Sequence, residues 1–179
     1  YYAEKNNLKN TVVNVYILDD KKIVTVTIEK IDDSIWKGKE EMPEAKAIEK
    51  IDIESFKNLP MISYDGITHI ICPMIDVEKE KKYIEELIKD TCDKLKVKAL
   101  GFIFYDENNL KLMPLVYVRD ANTLFWENSC ATGTTALGTY IANETKKQIN
   151  LEVIEPGGKL NVLADPDGKT YLIGTIKLS

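Results

Sequence analysis

The chain has 179 residues, a formal net charge of -5, 44% hydrophobic residues and 30% charged residues. This composition suits one globular domain, or one domain with a piece of another, and supplies enough apolar material for a core. No basic patch with interleaved aromatics is present, which argues against a nucleic-acid partner, and no apolar run approaches the ~20 residues of a membrane span.

Residues 1–31 predict an N-terminal hairpin. Two β-branched runs, 12–18 and 23–28, flank a turn at Asp19-Asp20-Lys21-Lys22. The hairpin is read as the end of a further, N-terminal domain. Residues 32–47 are charged, contain Pro43 and predict a loop or linker. Residues 48–179 form the main domain. Within it, 68–72 is a short apolar run suited to a buried strand and closed by Pro73.

Residues 77–95 predict an amphipathic helix. Ile84, Leu87, Ile88, Cys92 and Leu95 recur at helical spacing, and Lys and Glu fill the other face. Strands are expected at 100–105, 112–118 and 123–126, with Pro114 pointing to an edge or bulge in the second. Residues 131–143 carry no charge at all, and a helix without a charged face is a buried helix. Three more strands, 149–154, 159–163 and 171–178, are separated by turns at Pro156-Gly157-Gly158 and Asp165-Pro166-Asp167-Gly168. The expected fold class is therefore α+β, a curved mixed or antiparallel sheet wrapped around the helix at 131–143, with the helix at 77–95 as a second one.

Three cysteines, Cys72, Cys92 and Cys130, are odd in number and widely spaced. Neither a disulfide framework nor a zinc site is suggested, and a cytoplasmic location is expected. The single histidine, His69, cannot build a histidine-rich metal centre, so no metal is expected. No signal peptide is visible and the first residue is Tyr1, so a piece of a longer protein is expected.

The run that carries chemistry is Trp126-Glu127-Asn128-Ser129-Cys130-Ala131-Thr132-Gly133-Thr134-Thr135, which leads a strand into the buried helix. A helix start exposes unpaired amides and the positive end of the macrodipole. A thiolate at Cys130 would be stabilised there, with a lowered pKa. A carboxylate could dock on the amides of Ala131, Thr132 and Gly133, with hydroxyls from Thr132 and Thr134. Gripping a carboxylate while a thiol reaches the α-carbon suits α-proton exchange on an amino acid. The plainer alternative is that a cysteine is a small buried hydrophobe, and on that ground Cys92 and Cys72 are read as core.

Ser129-Cys130-Ala131-Thr132-Gly133-Thr134 resembles the second cysteine motif, Cys-Gly-(Ser/Thr)-Gly, of the diaminopimelate epimerase superfamily, with Ala131 in place of the first glycine. Gly157-Gly158-Lys159-Leu160 is similar to the family's Gly-Gly-x-Leu, and Gly66-Ile67-Thr68-His69 to its Gly-Asn-Pro-His. The longer Phe-Trp-Glu-x-Ser-Cys form looks closest to the histidine racemase-like branch. The resemblance implies a two-domain isomerase that needs no cofactor, pyridoxal phosphate included. Each domain supplies one cysteine; one thiolate removes the α-proton and the other thiol reprotonates the opposite face. It further implies that this chain is the C-terminal half, inactive alone, with the partner cysteine on an absent N-terminal domain. The expected partners are that domain, a small amino-acid substrate and a second copy in a homodimer.

The resemblance gives His69 a role in poising a thiol or positioning substrate, beside the alternative of a satisfied structural histidine. Glu127 would orient the substrate ammonium or support the cysteine, or else be a solvated rim carboxylate. Arg119 follows Tyr117-Val118 where the family has aromatic-Glu-Arg. Gly101 stands where the family has a distal Asn, and Ile67 replaces the Asn of Gly-Asn-Pro-His. These losses count against diaminopimelate as substrate. Two other readings stay open: a cysteine-nucleophile hydrolase or transferase using Cys130 and His69, and a non-catalytic module that binds a small anion or amino acid.

Overall fold

A computed structural model describes residues 2–17 and 22–178. Its elements run α1 (Tyr2–Lys5), β1 (Asn10–Ile17), β2 (Lys22–Asp32), β3 (Ile35–Glu41), β4 (Ala47–Ile53), β5 (Phe56–Ser63), β6 (Thr68–Pro73) and α2 (Lys81–Leu95). They continue with β7 (Ala99–Asp106), β8 (Lys111–Val118), β9 (Thr123–Trp126), α3 (Ala131–Thr145), β10 (Ile149–Glu155), β11 (Gly158–Ala164) and β12 (Thr170–Lys177). Among the described residues all twelve strands join one mixed sheet, ordered β1-β2-β3-β12-β11-β10-β8-β7-β6-β5-β4, with β9 paired to β8 off this path.

The core sits on both faces of the middle strands. Successive side chains on a strand point to opposite faces. Ile70 and Cys72 of β6 and Leu100, Phe102 and Phe104 of β7 pack with Ile84, Leu87, Ile88 and Cys92 of α2. Ile71 and Ile103, the alternate residues, pack with Ala136 and Leu137 of α3. Strands covered on both faces read as continuous apolar runs, which is why β6 and β7 show no alternation in sequence. Each fully buried Ile, Leu or Phe there contributes roughly 1.5–3 kcal/mol.

The helices stand near their expected positions. α2 begins at Lys81, since residues 77–80 form turns; it ends on Lys96 in the left-handed conformation. α3 runs to Thr145, two residues beyond the expected stretch, and is likewise capped by left-handed Lys146. The lack of charge over 131–143 is matched by buried threonines that are satisfied locally: Thr135 donates to the Ala131 carbonyl and Thr139 pairs with Thr170.

Three expectations change. The sheet is not wrapped around one central helix; the described residues are mostly a broad mixed sheet with three helices, and α3 is one of two long helices laid on it. The absence of charge over 131–143 announced burial but not what would bury it. Residues 32–47 are not a linker: they contain β3, which pairs with β2 and β12. Lys37, Lys39 and Glu41 are exposed while Trp36 is buried and Gly38 and Glu40 are half-buried, so the charges that suggested a loop are the solvent face of a strand. The expected N-terminal hairpin is present as β1 and β2, but through β3 it continues the same sheet. Its turn at 19–21 and the end of its first strand at Leu18 lie outside the described residues. Sequence patterning also gave no sign of β4 and β5.

Pro114 fits within β8 without breaking a ladder. Its carbonyl accepts from the Glu127 amide on the β9 side, and a residue's N and O point to the same side of a strand. The missing N–H therefore faces away from β7, and pairing with β9 begins only at Leu115.

Candidate active site

Cys130 is the N-cap of α3, in extended conformation and 5% exposed. Its carbonyl accepts the Thr134 amide, which opens the helix. The cap is completed from a distance. Glu155, at the end of β10, is 4% exposed and accepts the Cys130 amide at 3.0 Å and the Thr134 hydroxyl at 2.6 Å. The turn after Glu155 is tied to the same loop, because the Gly157 amide donates to the Asn128 carbonyl at 2.7 Å.

Three groups act on the sulfur: the Glu127 carboxylate, which favours the protonated thiol, and the Gly133 amide and Thr132 hydroxyl, which oppose it, with Thr132 Oγ1 3.8 Å from Sγ. A Cβ at Gly133 would lie 3.2 Å from Sγ and 2.5 Å from Ile103 Cδ1, so the missing side chain lets helix, sulfur and sheet meet. Thr132 also reaches His69, whose Nε2 lies 2.9 Å from its Oγ1. Thr132 thus stands between imidazole and thiol.

Burial decides the charge states. Loss of solvent, then the hydrogen bond and charge of Glu127, push the Cys130 thiol up to about 12; Gly133 and Thr132 pull it back only in part. The lowered pKa expected from the helix start is thereby corrected: the amide is present, but desolvation and an adjacent anion outweigh it. His69 is fully buried, and burial lowers it to about 3, so it is neutral at physiological pH. Its Nδ1 has no hydrogen-bond partner among the described residues. A Cβ at residue 101 would lie 2.3 Å from that nitrogen, so Gly101 is what leaves the ring its place beside β7.

The structure therefore gathers Cys130, Glu127, Thr132, Gly133, Thr134 and His69, all named from the sequence. Ala131 lies exposed in the first turn of α3. Arg119 is placed elsewhere: its amide donates to the Lys98 carbonyl, its guanidinium is 3.9 Å from Asp120, and its charge acts on Cys92. Glu155 was not found by sequence reasoning. The one sign of it was an acidic residue entering the Pro-Gly-Gly turn, and only the placement of β10 beside α3 gives it meaning. The other two cysteines belong to the α2 side of the sheet, where Cys72 Sγ donates to the Ile70 carbonyl and Cys92 Sγ to that of Val97.

The direct cysteine–histidine pair needed for a nucleophilic hydrolase is not what His69 forms, since its bonded nitrogen engages Thr132.

This fold is shared with epimerase-like α+β proteins. A PhzF-family phenazine biosynthesis protein from Bacillus anthracis superposes with a TM-score of 0.69 at 13% identity, covering 100% of this chain and 71% of its own. A structure described as a predicted epimerase from Pseudomonas aeruginosa gives a TM-score of 0.66 at 10% identity, covering 96% of this chain and 66% of its own. Identities this low speak for the fold alone.

The chain belongs to the family described as the histidine racemase CntK N-terminal domain, whose model matches residues 1–178. A histidine racemase from Fusobacterium nucleatum subsp. nucleatum is 35% identical over 146 residues, 79% of this chain and 53% of that protein. A histidine racemase from a second strain of that organism is 28% identical over 180 residues, 99% of this chain and 66% of the other. One from Staphylococcus aureus is 30% identical over 130 residues, 68% of this chain and 46% of the other. The chain thus spans between 46% and 66% of the length of these curated relatives. The likeness to the epimerase superfamily stands. The expectation of a C-terminal half is not borne out by a family described as an N-terminal domain.

Proposed function

We propose that this chain supplies Cys130 as one proton-transferring thiol of a cofactor-independent amino-acid racemase. Histidine is the first substrate to test, because the similar sequences are histidine racemases. The observation that carries the reading is the polar setting of the sulfur: Thr132 Oγ1 at 3.8 Å, with the Glu127 carboxylate and the Gly133 amide acting on the thiol in opposite senses. A structural cysteine in an apolar core needs none of these.

Held up to about 12, Cys130 is a thiol at neutral pH. In one direction it gives its proton to the α-carbon as another base removes the α-hydrogen from the opposite face. In the reverse direction it starts as the thiolate that this transfer leaves, stabilised by the Gly133 amide and the Thr132 hydroxyl, and takes the α-hydrogen while the other group, now protonated, supplies the opposite face. His69 is read as a neutral partner whose Nε2–H donates to Thr132, leaving that hydroxyl's proton for the sulfur; this tautomer leaves a bare lone pair, not a buried donor, at Nδ1. The first turn, with Ala131 exposed and Thr132 half-buried, is the proposed grip for the substrate carboxylate. Arg119 has no contact here that supports a substrate-binding role.

The second thiol is proposed to come from another part of the protein. Cys72 and Cys92 lie on the far face of the sheet, and burial pushes Cys72 up to about 12. Free cysteines at all three positions suit a reducing, cytoplasmic setting. The test is incubation of the full gene product with L- and D-amino acids in heavy water. α-Deuterium should appear in histidine or a related amino acid and vanish in Cys130→Ala; exchange that survives this substitution would sink the proposal.

A further inference from the structure

The Cys130 loop is closed by a residue far along the chain. Glu155 spans the start of α3 with both carboxylate oxygens, one on the Cys130 amide and one on the Thr134 hydroxyl. Both bonds involve a carboxylate that is almost without solvent, and such charge-assisted bonds are short and strong. Cys130 is the N-cap of α3, and its own amide, which precedes the helix, is held by Glu155 rather than by a neighbour in its loop.

We propose that Glu155 is a positioning residue for Cys130, fixing the cysteine backbone from β10 so that its sulfur is held among Glu127, Thr132 and Gly133. A second consequence concerns the substrate. With Cys130's amide taken by Glu155 and Gly133 buried beside the sulfur, the amides left for an incoming carboxylate are those of Ala131 and Thr132. Glu155 therefore also narrows where the substrate docks. The docking consequence and the kinetic arm rest on the racemase reading; the positioning of Cys130 does not.

The experiment compares wild-type protein with Glu155→Gln, Glu155→Ala and Thr134→Val in the full gene product. Two quantities are read: the alkylation rate of each cysteine by iodoacetamide, resolved by peptide mass, and α-deuterium exchange on histidine. Glu155→Ala leaves the Cys130 amide without its acceptor, and the loop should open locally. Alkylation of Cys130 should then rise on the order of tenfold while Cys72 and Cys92 hold their rates. Exchange turnover should fall by about a hundredfold with KM within about threefold, as expected for a misplaced reacting group. Glu155→Gln keeps an acceptor for the Cys130 amide, and the Thr134 hydroxyl can turn to accept from its NH2, so it should recover most of both readings.

Unchanged Cys130 alkylation in a folded Glu155→Ala protein would overturn the proposal. So would Glu155→Gln behaving no better than Glu155→Ala. If Glu155→Ala opens all three cysteines together, Thr134→Val decides: selective opening of Cys130 by about threefold supports positioning, and none overturns it. Selective opening of Cys130 in a protein that exchanges no amino acid would leave the positioning role standing and remove the racemase reading.

Discussion

At the scale of single residues, the site is a competition over one proton. Glu127 favours the protonated Cys130 thiol and opposes the thiolate by its charge, while Thr132 and Gly133 favour the thiolate. Opposite substitutions should therefore move the thiol in opposite directions. Glu127→Gln removes the anion, so the Cys130 midpoint should fall by about one unit or more; Thr132→Val removes a donor, so it should rise. Thiolate absorbance near 240 nm against pH, with Cys130→Ala as blank, measures both, and equal shifts in the same direction would refute the assignment. Much of this cluster was legible because five of its members, Glu127, Cys130, Thr132, Gly133 and Thr134, lie within one short stretch of sequence. The direction of the Cys130 shift was not legible, since it depends on how completely the loop is buried. Glu155 was invisible because its partner lies 25 residues away, across a contact that only the sheet creates.

At the scale of elements, the approach of α3 to the sheet is set by small residues. A Cβ at Gly138 would lie 2.6 Å and 2.9 Å from the two γ-methyls of Val162, a fully buried residue of β11. Alanine is the better helix former by about 1 kcal/mol, but overpacking a tight contact costs about 1–3 kcal/mol. Gly138→Ala should therefore destabilise the protein by about 1 kcal/mol on balance, seen as a lower urea midpoint. Val162→Ala should cost less in the Gly138→Ala background than in the wild type, a coupling that a double-mutant cycle reads directly. A stabilising Gly138→Ala would show that the helix sits further from β11. The two long helices could be read from sequence because periodicity and absence of charge are local properties. β3, β4 and β5 could not. Lys37, Lys39 and Glu41 make β3 look like a loop until β12 provides its ladder, and the pairing of β4 with β5 gives each a partner that no local pattern announces.

At the scale of the whole molecule, the one histidine links the site to global stability. His69 is buried in β6 between Thr132 of α3 and Gly101 of β7, with Tyr64 edge-on at 6.3 Å between ring centroids. A neutral imidazole fits there; an imidazolium does not, which is why burial lowers its pKa to about 3. In the unfolded chain the same ring titrates near its ordinary 6.5. Above that pH both states hold a neutral ring and His69 adds no pH dependence. Between 6.5 and 3 the unfolded chain binds one more proton than the folded protein, so stability declines as pH falls. The slope approaches 1.4 kcal/mol per pH unit as a ceiling. Urea unfolding from pH 7.5 to 4.5 should therefore show a decline that is shallower in His69→Gln by up to about 2 kcal/mol at the acid end. The carboxylates contribute alike to both proteins, so the difference between the two curves isolates the histidine. Parallel curves would mean that His69 is solvated or charged in the native state, and with it the neutral Nε2 donor proposed for Thr132 would be lost.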